Sequence, residues 1–351
     1  MNADASNAVN EPVEFTGQGG EYFRIWIVNL ALTIVTLGIY SAWAKVRRMQ
    51  YFYRNTSLMG NSFDYHGDPV TILKGRIIGV GLLAIYHVTI SLNVFIGLGM
   101  FVLIIAALPW LLQRSICFKL TNSSYRGLRF RFNGGIGTAY QVFLAWPIAG
   151  YFSLGMLFPF AHQRIKAYQH NNSAYGTASF SFSADEGKFY IVYLKLLGLT
   201  LLPMFLFGVL AGLSGVFSGT SGAHKDPMQL MIKIFTGVMV FYLVLFLVIG
   251  PWFAARIQNL VWNHTALGPH QFASNVRARD LLGIYVTNFF AVILTLGLYK
   301  PFADIRLAKY RLTHMALQTQ GSLDEFFAQE QQAVNALGQE TANVFDVDIS
   351  F

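Results

Sequence analysis

One segment with the pattern of a helix is written five times into this chain, with the same spacing of residue types each time. A proline or alanine followed by an aromatic residue opens the segment, an arginine stands five residues after the opening, and an asparagine or histidine follows eight residues later. The copies open at Ala42-Trp43, Pro109-Trp110, Pro159-Phe160, Pro251-Trp252 and Pro301-Phe302. Recurrence without gaps indicates an internal array of one supersecondary unit.

The repeated segment is predicted to be a helix lying at a membrane surface. Its aromatic residue, its arginine and a third, mostly aromatic residue are four positions apart and therefore share one helix face. The arginines are Arg47, Arg114, Arg164, Arg256 and Arg306, and the third position holds Tyr51, Tyr168 and Tyr310 in copies one, three and five. Trp43, Trp110, Phe160, Trp252 and Phe302 are predicted to be interface anchors.

Short strands are predicted after these helices. Pairs such as Asn55-Thr56 are typical of turns, and the glycines that follow suit a helix end. Alternation of apolar and polar residues then predicts strands at 62–65, 128–132 and 179–182, and Pro12–Thr16 has the same character. Copy five has no evident strand of its own, so the N-terminal strand is expected to complete the set.

The composition is that of a membrane protein. Hydrophobic residues make up 54% of the 351 residues, charged residues only 12%, and the mean hydropathy is +0.45. Apolar inserts lie between each strand and the next helix, and Ile77–Leu112 and Phe189–Phe253 are long enough to cross a bilayer twice. The shorter inserts, about Tyr22–Leu37, Ala139–Phe158 and Leu281–Tyr299, either cross once or dip in and return.

Charge favours the second arrangement of the short inserts. If they return, all five basic helices face the cytoplasm, as the positive-inside rule requires. The predicted fold class is therefore an α-helical multi-pass membrane protein with four spans, three re-entrant hairpins and a small cytoplasmic β element. Residues 1–319 form one membrane domain of five units, and these run over about 12–55, 62–122, 128–172, 179–264 and 271–314.

Residues 320–351 form an acidic tail, because no lysine or arginine follows Arg311. Leu323, Phe326 and Phe327 predict a short amphipathic helix in this tail. Opposite charge suggests that it rests on the collar formed by the five basic helices.

The stretch from Thr36 to Arg47, together with Tyr51-Phe52-Tyr53, resembles the YjgN-type family of bacterial inner-membrane proteins. Gly19–Arg24 and Val344–Ile349 are also similar to that family. The resemblance extends over nearly the whole chain and implies an inner (cytoplasmic) membrane location. It implies no catalytic residues.

The five arginines and the three tyrosines are the candidate ligand-binding residues. Arginine pairs with phosphate through two parallel hydrogen bonds, which suits membrane lipids or a small amphiphilic ligand. The alternative is that the arginines only anchor the helices in any bilayer. The corresponding functions are a carrier or conduit for an amphiphile entering through the collar, and a non-transporting scaffold for lipid or a partner protein.

Other classes of function lack a signal. Cys117 is the only cysteine, and no histidine pair has the spacing of a zinc motif, so no metal is expected. The glycine clusters do not follow a strand in the way a dinucleotide-binding loop requires. We therefore expect no cofactor, no nucleic-acid partner and no enzymatic activity.

Overall fold

The computed structural model describes residues 9–213 and 227–347. Ten strands alternate with helices along the chain. The strands are β1 Val9–Phe15, β2 Thr56–Leu58, β3 Asn61–Tyr65, β4 Ser123–Tyr125, β5 Leu128–Phe132, β6 Ser173–Tyr175, β7 Ala178–Phe182, β8 Thr265–Leu267, β9 His270–Ser274 and β10 Met315–Thr319. The second long insert, Phe189–Phe253, has a polar break at Ser218–Gln229 in the sequence, and this break falls almost entirely outside the described residues.

The strands form a closed antiparallel barrel. Its order is β1-β10-β9-β8-β7-β6-β5-β4-β3-β2, and β2 pairs back onto β1. The predicted fold class was wrong here, because a closed ten-strand barrel organises the molecule in place of a small β element attached to a helical bundle. Closure leaves no unpaired strand edge.

Four two-strand hairpins supply most of the barrel. Their strands and turns differ from those predicted from the sequence. Asn55-Thr56 and its three counterparts were expected to form turns, but the second residue of each pair begins a short strand, β2, β4, β6 or β8, that pairs with the next strand in the chain. The glycines expected to end helices lie in the hairpin turns instead. Gly60 and Gly127 have φ of 71° and 82° there, a region that glycine enters without steric cost.

The fifth pair joins the two ends of the chain. β10 follows the last basic helix, so copy five does have a strand, contrary to the prediction. It pairs with β9 on one side and with the N-terminal β1 on the other, where Val9 lies opposite Thr319. The expectation that the first strand completes the set was correct.

Except for α12, the helices project from one rim of the barrel. They are α1 Gly19–Val35, α2 Ser41–Arg54, α3 Pro69–Leu92, α4 Val94–Thr121, α5 Ile136–Tyr140, α6 Trp146–Phe152, α7 Phe158–Asn171, α8 Glu186–Leu213, α9 Pro227–Trp262, α10 Ala278–Leu294, α11 Lys300–Thr313 and α12 Leu323–Val347. A π-helical stretch, Gln141–Ala145, joins α5 to α6. Except for α12, every helical insert leaves the barrel at the end of one hairpin and returns at the start of the next. The hairpin turns therefore lie on the opposite rim.

Among the described residues, four helical segments are long and apolar enough to cross a membrane: Pro69–Leu92, Val94–Thr121, Glu186–Val209 and Phe235–Trp262. α3 and α4 form one antiparallel hairpin, and Asn93 ends the first helix and caps the second through its side chain. In α4 and α9 the prolines Pro109 and Pro251 lie inside the helix. Copies two and four are thus continuations of long helices, whereas Pro159 and Pro301 stand in the first turn as expected.

The asparagine or histidine of each copy links helix to barrel. The side chains of Asn55, Asn122 and Asn172 donate to the carbonyl four residues earlier at 2.8 Å, and His264 and His314 do the same through Nδ1 at 2.8 and 2.7 Å. The backbone carbonyl of each also accepts from the residue after a neighbouring strand, for example Thr16 N at 2.9 Å. One residue therefore satisfies groups at the helix C-terminus and fixes the direction of the next insert.

Aromatic side chains fill the barrel. Four phenylalanines follow the asparagine or histidine of the first four copies by eight residues: Phe63, Phe130, Phe180 and Phe272. Their rings line the barrel interior, and the centroids of neighbouring rings are 6.1–6.4 Å apart. They pack against a buried cluster that contains Tyr125, Tyr175 and Leu317. Ring pairs at these separations add to the apolar burial that stabilises the barrel.

The acidic tail does form a helix, but it does not rest on the basic collar. α12 packs against the rim that bears the hairpin turns, where Leu323 and Phe327 are buried in the barrel cluster. Asp324 forms an ion pair with Arg126 at 2.8 Å, and Glu330 accepts from the backbone N of Ala178 at 2.9 Å. Apolar burial rather than long-range attraction to the collar selects this place, since each buried large side chain contributes roughly 1.5–3 kcal/mol.

Candidate functional site

The collar consists of α2, the last part of α4, α7, the last part of α9, and α11, and the five predicted arginines lie on its outer face. All five arginines are exposed. Arg114, Arg164 and Arg256 lie over the aromatic ring four residues earlier, at 6.0, 4.7 and 5.9 Å from the centroid. Arg47 lies over Tyr40 at 5.7 Å. The predicted alignment of aromatic and arginine on one face is therefore present.

The predicted anchors are partly buried, and several of them join helices. Phe302 stacks on Tyr299 and approaches Phe23 of α1 at 5.6 Å. Phe160 contacts Trp146 edge-on at 4.7 Å, so it joins α7 to α6. Trp110 is the most exposed of the five, at 43%. Phe160 therefore joins two helices of one unit, whereas Phe302 contacts a helix of a neighbouring unit.

The three predicted tyrosines are occupied by the fold. Tyr51 OH accepts from Gln18 N at 2.9 Å, donates towards Gln18 O and lies 3.1 Å from Glu21 Oε2. Tyr310 repeats this arrangement with Arg277 and Asp280, and Tyr168 OH donates to Gly135 O. Burial raises the pKa of Tyr51 to about 12, so the hydroxyl stays protonated. These side chains fix the start of each short insert to its collar helix.

A cleft of about 500 Å³ lies between α1 and α2, and we call it the first cleft. Its polar part contains three arginines: Arg24, Arg47 and Arg54. Arg54 forms an ion pair with Asp64 at 2.8 Å, whereas no ion pair of Arg24 or Arg47 is found among the described residues. The remaining lining residues are Ile25, Val28, Gln50, Tyr51 and Asn55.

A second cleft, of about 370 Å³, lies at the equivalent place beside α7. Its only lining arginine is Arg164, whose guanidinium forms an ion pair with Glu186 at 2.9 Å. Its other polar lining comes from neutral side chains such as Gln141 and Asn171. The two clefts occupy equivalent places beside collar helices but differ in the arginines that line them.

The fifth unit has Arg306 at the position of Arg47, but it has no basic residue at the position of Arg24. Arg306 Nη1 donates to Asn288 Oδ1 at 2.9 Å. Each tyrosine hydroxyl contacts the residue 33 positions before it, and this common spacing aligns the short inserts. Arg24 then corresponds to Gln141 and Gly283, so the pair of arginines belongs to the first unit alone.

Sequence reasoning missed Arg24, which lies in the apolar insert rather than in the repeated segment. The alignment of the three short inserts is the signal that could have found it, because an arginine replaces residues that are elsewhere neutral. The five predicted arginines are not brought together into one site. They are distributed round the collar, and in the part of the chain that the structure describes only Arg47 lines one of the two clefts together with another arginine, Arg24, that has no ion pair.

The family of bacterial proteins of unknown function DUF898 matches residues 10–344. The chain belongs to this family. A protein of Salmonella typhimurium strain LT2 named inner membrane protein YjgN is 24% identical over 363 aligned positions, covering 90% of each chain. The protein of the same name from Escherichia coli O157:H7 is 27% identical over 243 positions, which cover 68% of this chain and 57% of the relative. No solved structure matches.

These comparisons confirm the YjgN-type resemblance. They assign no ligand and no reaction. The charge of the first cleft is the feature that separates it from the second.

Proposed function

We propose that this protein is an inner-membrane protein that binds an anionic, lipid-like amphiphile in the first cleft. The observation that carries the proposal is the pair Arg24 and Arg47, exposed in one cleft and without an ion pair among the described residues. Two guanidinium groups present parallel N–H donors that match the oxygen atoms of a phosphate group. Gln50 and Asn55 add neutral polar groups to the same lining.

The apolar wall of the cleft suits the rest of such a molecule. Ile25 and Val28 lie one helical turn apart on α1 and line the cleft together with the arginines. Further along α1, Ile34 and Val35 are 66% and 78% exposed. A headgroup held by the arginines would place its acyl chain along this face, where it replaces contacts with bulk lipid.

The proposed membrane topology makes the collar face the headgroup region. We propose that α1–α2, α5–α7 and α10–α11 re-enter the membrane and return, and that five internal units thus share one side. Support comes from their turns at Leu37-Gly38, Leu154-Gly155 and Leu296-Gly297, where the leucines have φ of 51–53° and are 94–95% exposed. Exposed leucines at turn tips are stable in hydrocarbon and unfavourable in water.

Native mass spectrometry of gently purified protein tests the binding. Phosphatidylglycerol is added in one arm and phosphatidylcholine in the other, and the double variant Arg24→Gln/Arg47→Gln is compared with the natural chain. Each charge-assisted hydrogen bond contributes about 1.5–3 kcal/mol, so we expect at least a tenfold loss of phosphatidylglycerol affinity. A third arm with inorganic phosphate shows whether the headgroup alone is sufficient.

Arg164→Gln and Arg306→Gln are the matched controls, since these arginines occupy equivalent positions but are bonded to Glu186 and Asn288. Both should retain the binding of the natural chain. Equal losses in all variants would mean that arginines anchor the collar without a specific site. Unchanged binding in the double variant would refute the first cleft as the site.

A non-transporting scaffold is the second candidate, and it is favoured by the packing of the barrel. Aromatic side chains fill the barrel interior, and α12 covers the rim with the hairpin turns. Lipid binding without passage through the barrel agrees with this packing better than a conduit does. If a fluorescent lipid instead moves between the leaflets of vesicles that contain the protein faster than in empty vesicles, that result would favour the conduit.

A further inference from the structure

The second cleft differs from the first because its arginine belongs to a balanced pair of charges. Arg164 lines this cleft of about 370 Å³, and its Nη2 lies 2.9 Å from Oε1 of Glu186 at the start of α8. The arginine side chain is 45% exposed and the glutamate side chain 34%. Both charged groups therefore remain accessible to a ligand.

The carboxylate beside a collar arginine is particular to this place. The residue directly after each odd-numbered strand donates its backbone N–H to the carbonyl of the asparagine or histidine in a neighbouring copy, and this common bond aligns the starts of the five inserts. Three residues further on stand Gly19, Pro69, Ile136, Glu186 and Ala278. Only Glu186 of these is acidic.

The ion pair leaves hydrogen-bonding capacity unused at both of its ends. A guanidinium has five N–H donors, and a carboxylate accepts at about four lone-pair sites. In the described ranges, 9–213 and 227–347, Arg164 contacts the carboxylate and lies over the ring of Phe160 at 4.7 Å. Arg164 is also the one partner found there for the side chain of Glu186. Donors and acceptors thus lie side by side, and each can bind a further group.

The rest of the second cleft is neutral. Thr138, Gln141 and Asn171 provide uncharged polar groups, and Val142 and Trp146 are among its apolar lining residues. As far as the structure describes the chain, Arg164 is the one charged side chain that lines this cleft. With the glutamate beside it, the charge at the cleft sums to zero, so a ligand without net charge fits it best.

We propose that the second cleft binds a phosphoethanolamine headgroup, with the phosphate at Arg164 and the ammonium at Glu186. Such a headgroup carries one charge of each sign, and it would lie antiparallel to the ion pair. An anionic headgroup lacks the ammonium and is repelled by the carboxylate, whereas choline has no N–H to donate. Ile148 and Phe152, further along α6 and 42% and 86% exposed, offer apolar contacts to the acyl chains of phosphatidylethanolamine. This site is separate from the first cleft and does not depend on lipid binding there.

Native mass spectrometry of the full-length, delipidated protein in detergent tests the headgroup preference. The parent chain carries Arg24→Gln/Arg47→Gln, so that binding in the first cleft does not contribute to the result. Phosphatidylethanolamine should bind about tenfold or more tightly than phosphatidylcholine with the same acyl chains, because only its ammonium donates hydrogen bonds to the carboxylate. Soluble phosphoethanolamine in a further arm distinguishes a site for the free headgroup from one for the lipid.

Glu186→Gln in the same parent chain changes the charge of the site while keeping the shape of the side chain. Phosphatidylethanolamine affinity should fall by about tenfold or more. Phosphatidylglycerol affinity should rise, because the charge of Arg164 is no longer balanced. A gain of one lipid together with a loss of the other also separates a changed site from a damaged fold.

Asp185→Asn is the matched control, since it removes the neighbouring carboxylate. Asp185 Oδ2 accepts from Gly187 N at 3.1 Å, and the amide oxygen of asparagine can accept the same bond. This variant should bind phosphatidylethanolamine as the parent chain does. Equal losses in Asp185→Asn and Glu186→Gln would reduce the effect to the general charge of the region and overturn the proposal. Equal affinities of the parent chain for phosphatidylethanolamine and phosphatidylcholine would overturn it as well.

Discussion

At the scale of single residues, the asparagine or histidine of each repeated segment makes the same side-chain hydrogen bond in all five copies. Asn172 and His314 differ chemically, yet each donates a side-chain N–H to the carbonyl four residues earlier, at 2.8 and 2.7 Å. Histidine does so through Nδ1, and asparagine through its amide nitrogen. The requirement is a donor at this distance from the backbone, and two residue types meet it.

Exchanging one type for the other should therefore be tolerated. We expect His314→Asn to leave the free energy of unfolding almost unchanged, whereas His314→Ala loses about 1 kcal/mol with its hydrogen bond. Chemical unfolding of the purified protein in detergent measures both. An alanine variant as stable as the asparagine variant would contradict the capping role.

Histidine burial predicts how stability depends on pH. His170 stacks on Phe182 and meets Trp262 edge-on, and burial, followed by the charge of Lys166, lowers its pKa from 6.5 to about 4. Between these values the unfolded chain binds a proton that the folded chain excludes. Stability from this residue is therefore complete above pH 6.5 and falls as the pH drops towards 4, by roughly 3 kcal/mol.

Chemical unfolding at pH 7.5 and pH 4.5 measures this loss, and His170→Gln should reduce it. The carboxylates with a lowered pKa titrate below this range, so they contribute little to the difference. His162 is expected to supply a similar share, because its pKa is also lowered to about 4, chiefly by burial. A variant that loses as much stability on acidification as the natural chain would contradict the assignment to His170.

At the scale of elements, the sequence predicts helices better than strands, for a physical reason. A three-residue strand such as β2 is too short to show alternation, and its partner across the turn gives the only support for it. The pairing of β1 with β10 joins residues about three hundred positions apart, which no local pattern contains. β3, β5 and β7 were predictable because four or five consecutive residues alternate between apolar and polar in each.

The sequence predicted only part of the candidate site. The repeated spacing identified Arg47 directly, but its cleft depends on the packing of α1 against α2 and on Arg24, which the repeat does not include.

α12 provides a test at this scale, because one side chain is central to its position. Phe327 lies 5.2 Å from Tyr125 and 5.6 Å from Tyr175, under the guanidinium of Arg126. We expect Phe327→Ala to release α12 from the barrel, so that the backbone N–H groups of Thr177 and Ala178, bonded to Glu330, exchange faster with deuterium. Gln332→Ala, at an exposed position of the same helix, is the control and should leave their exchange unchanged.

At the scale of the whole molecule, closure of the barrel determines how the chain meets the membrane. Each insert leaves and rejoins the same rim, so all five collar helices lie at one level and the tips of the inserts point away from the barrel. The α3–α4 hairpin reaches its far end at Asn93, whereas the short inserts turn at Leu37, Leu154 and Leu296. We expect the tip of the long hairpin at Asn93 to reach water on the far side of the membrane, and the tips of the short inserts to lie among acyl chains.

Cysteine labelling in intact cells tests this arrangement, starting from a Cys117→Ser background without native thiols. Leu92→Cys, at the 79% exposed end of α3, should react with a membrane-impermeant maleimide added outside the cytoplasmic membrane. Gln271→Cys, exposed on β9, should react only after the membrane is opened. Leu154→Cys, at a tip that the proposed topology places among acyl chains, should react slowly in both cases, because thiolates form poorly in hydrocarbon. Labelling of Gln271→Cys from outside intact cells would place the barrel on the periplasmic side and refute the proposed topology.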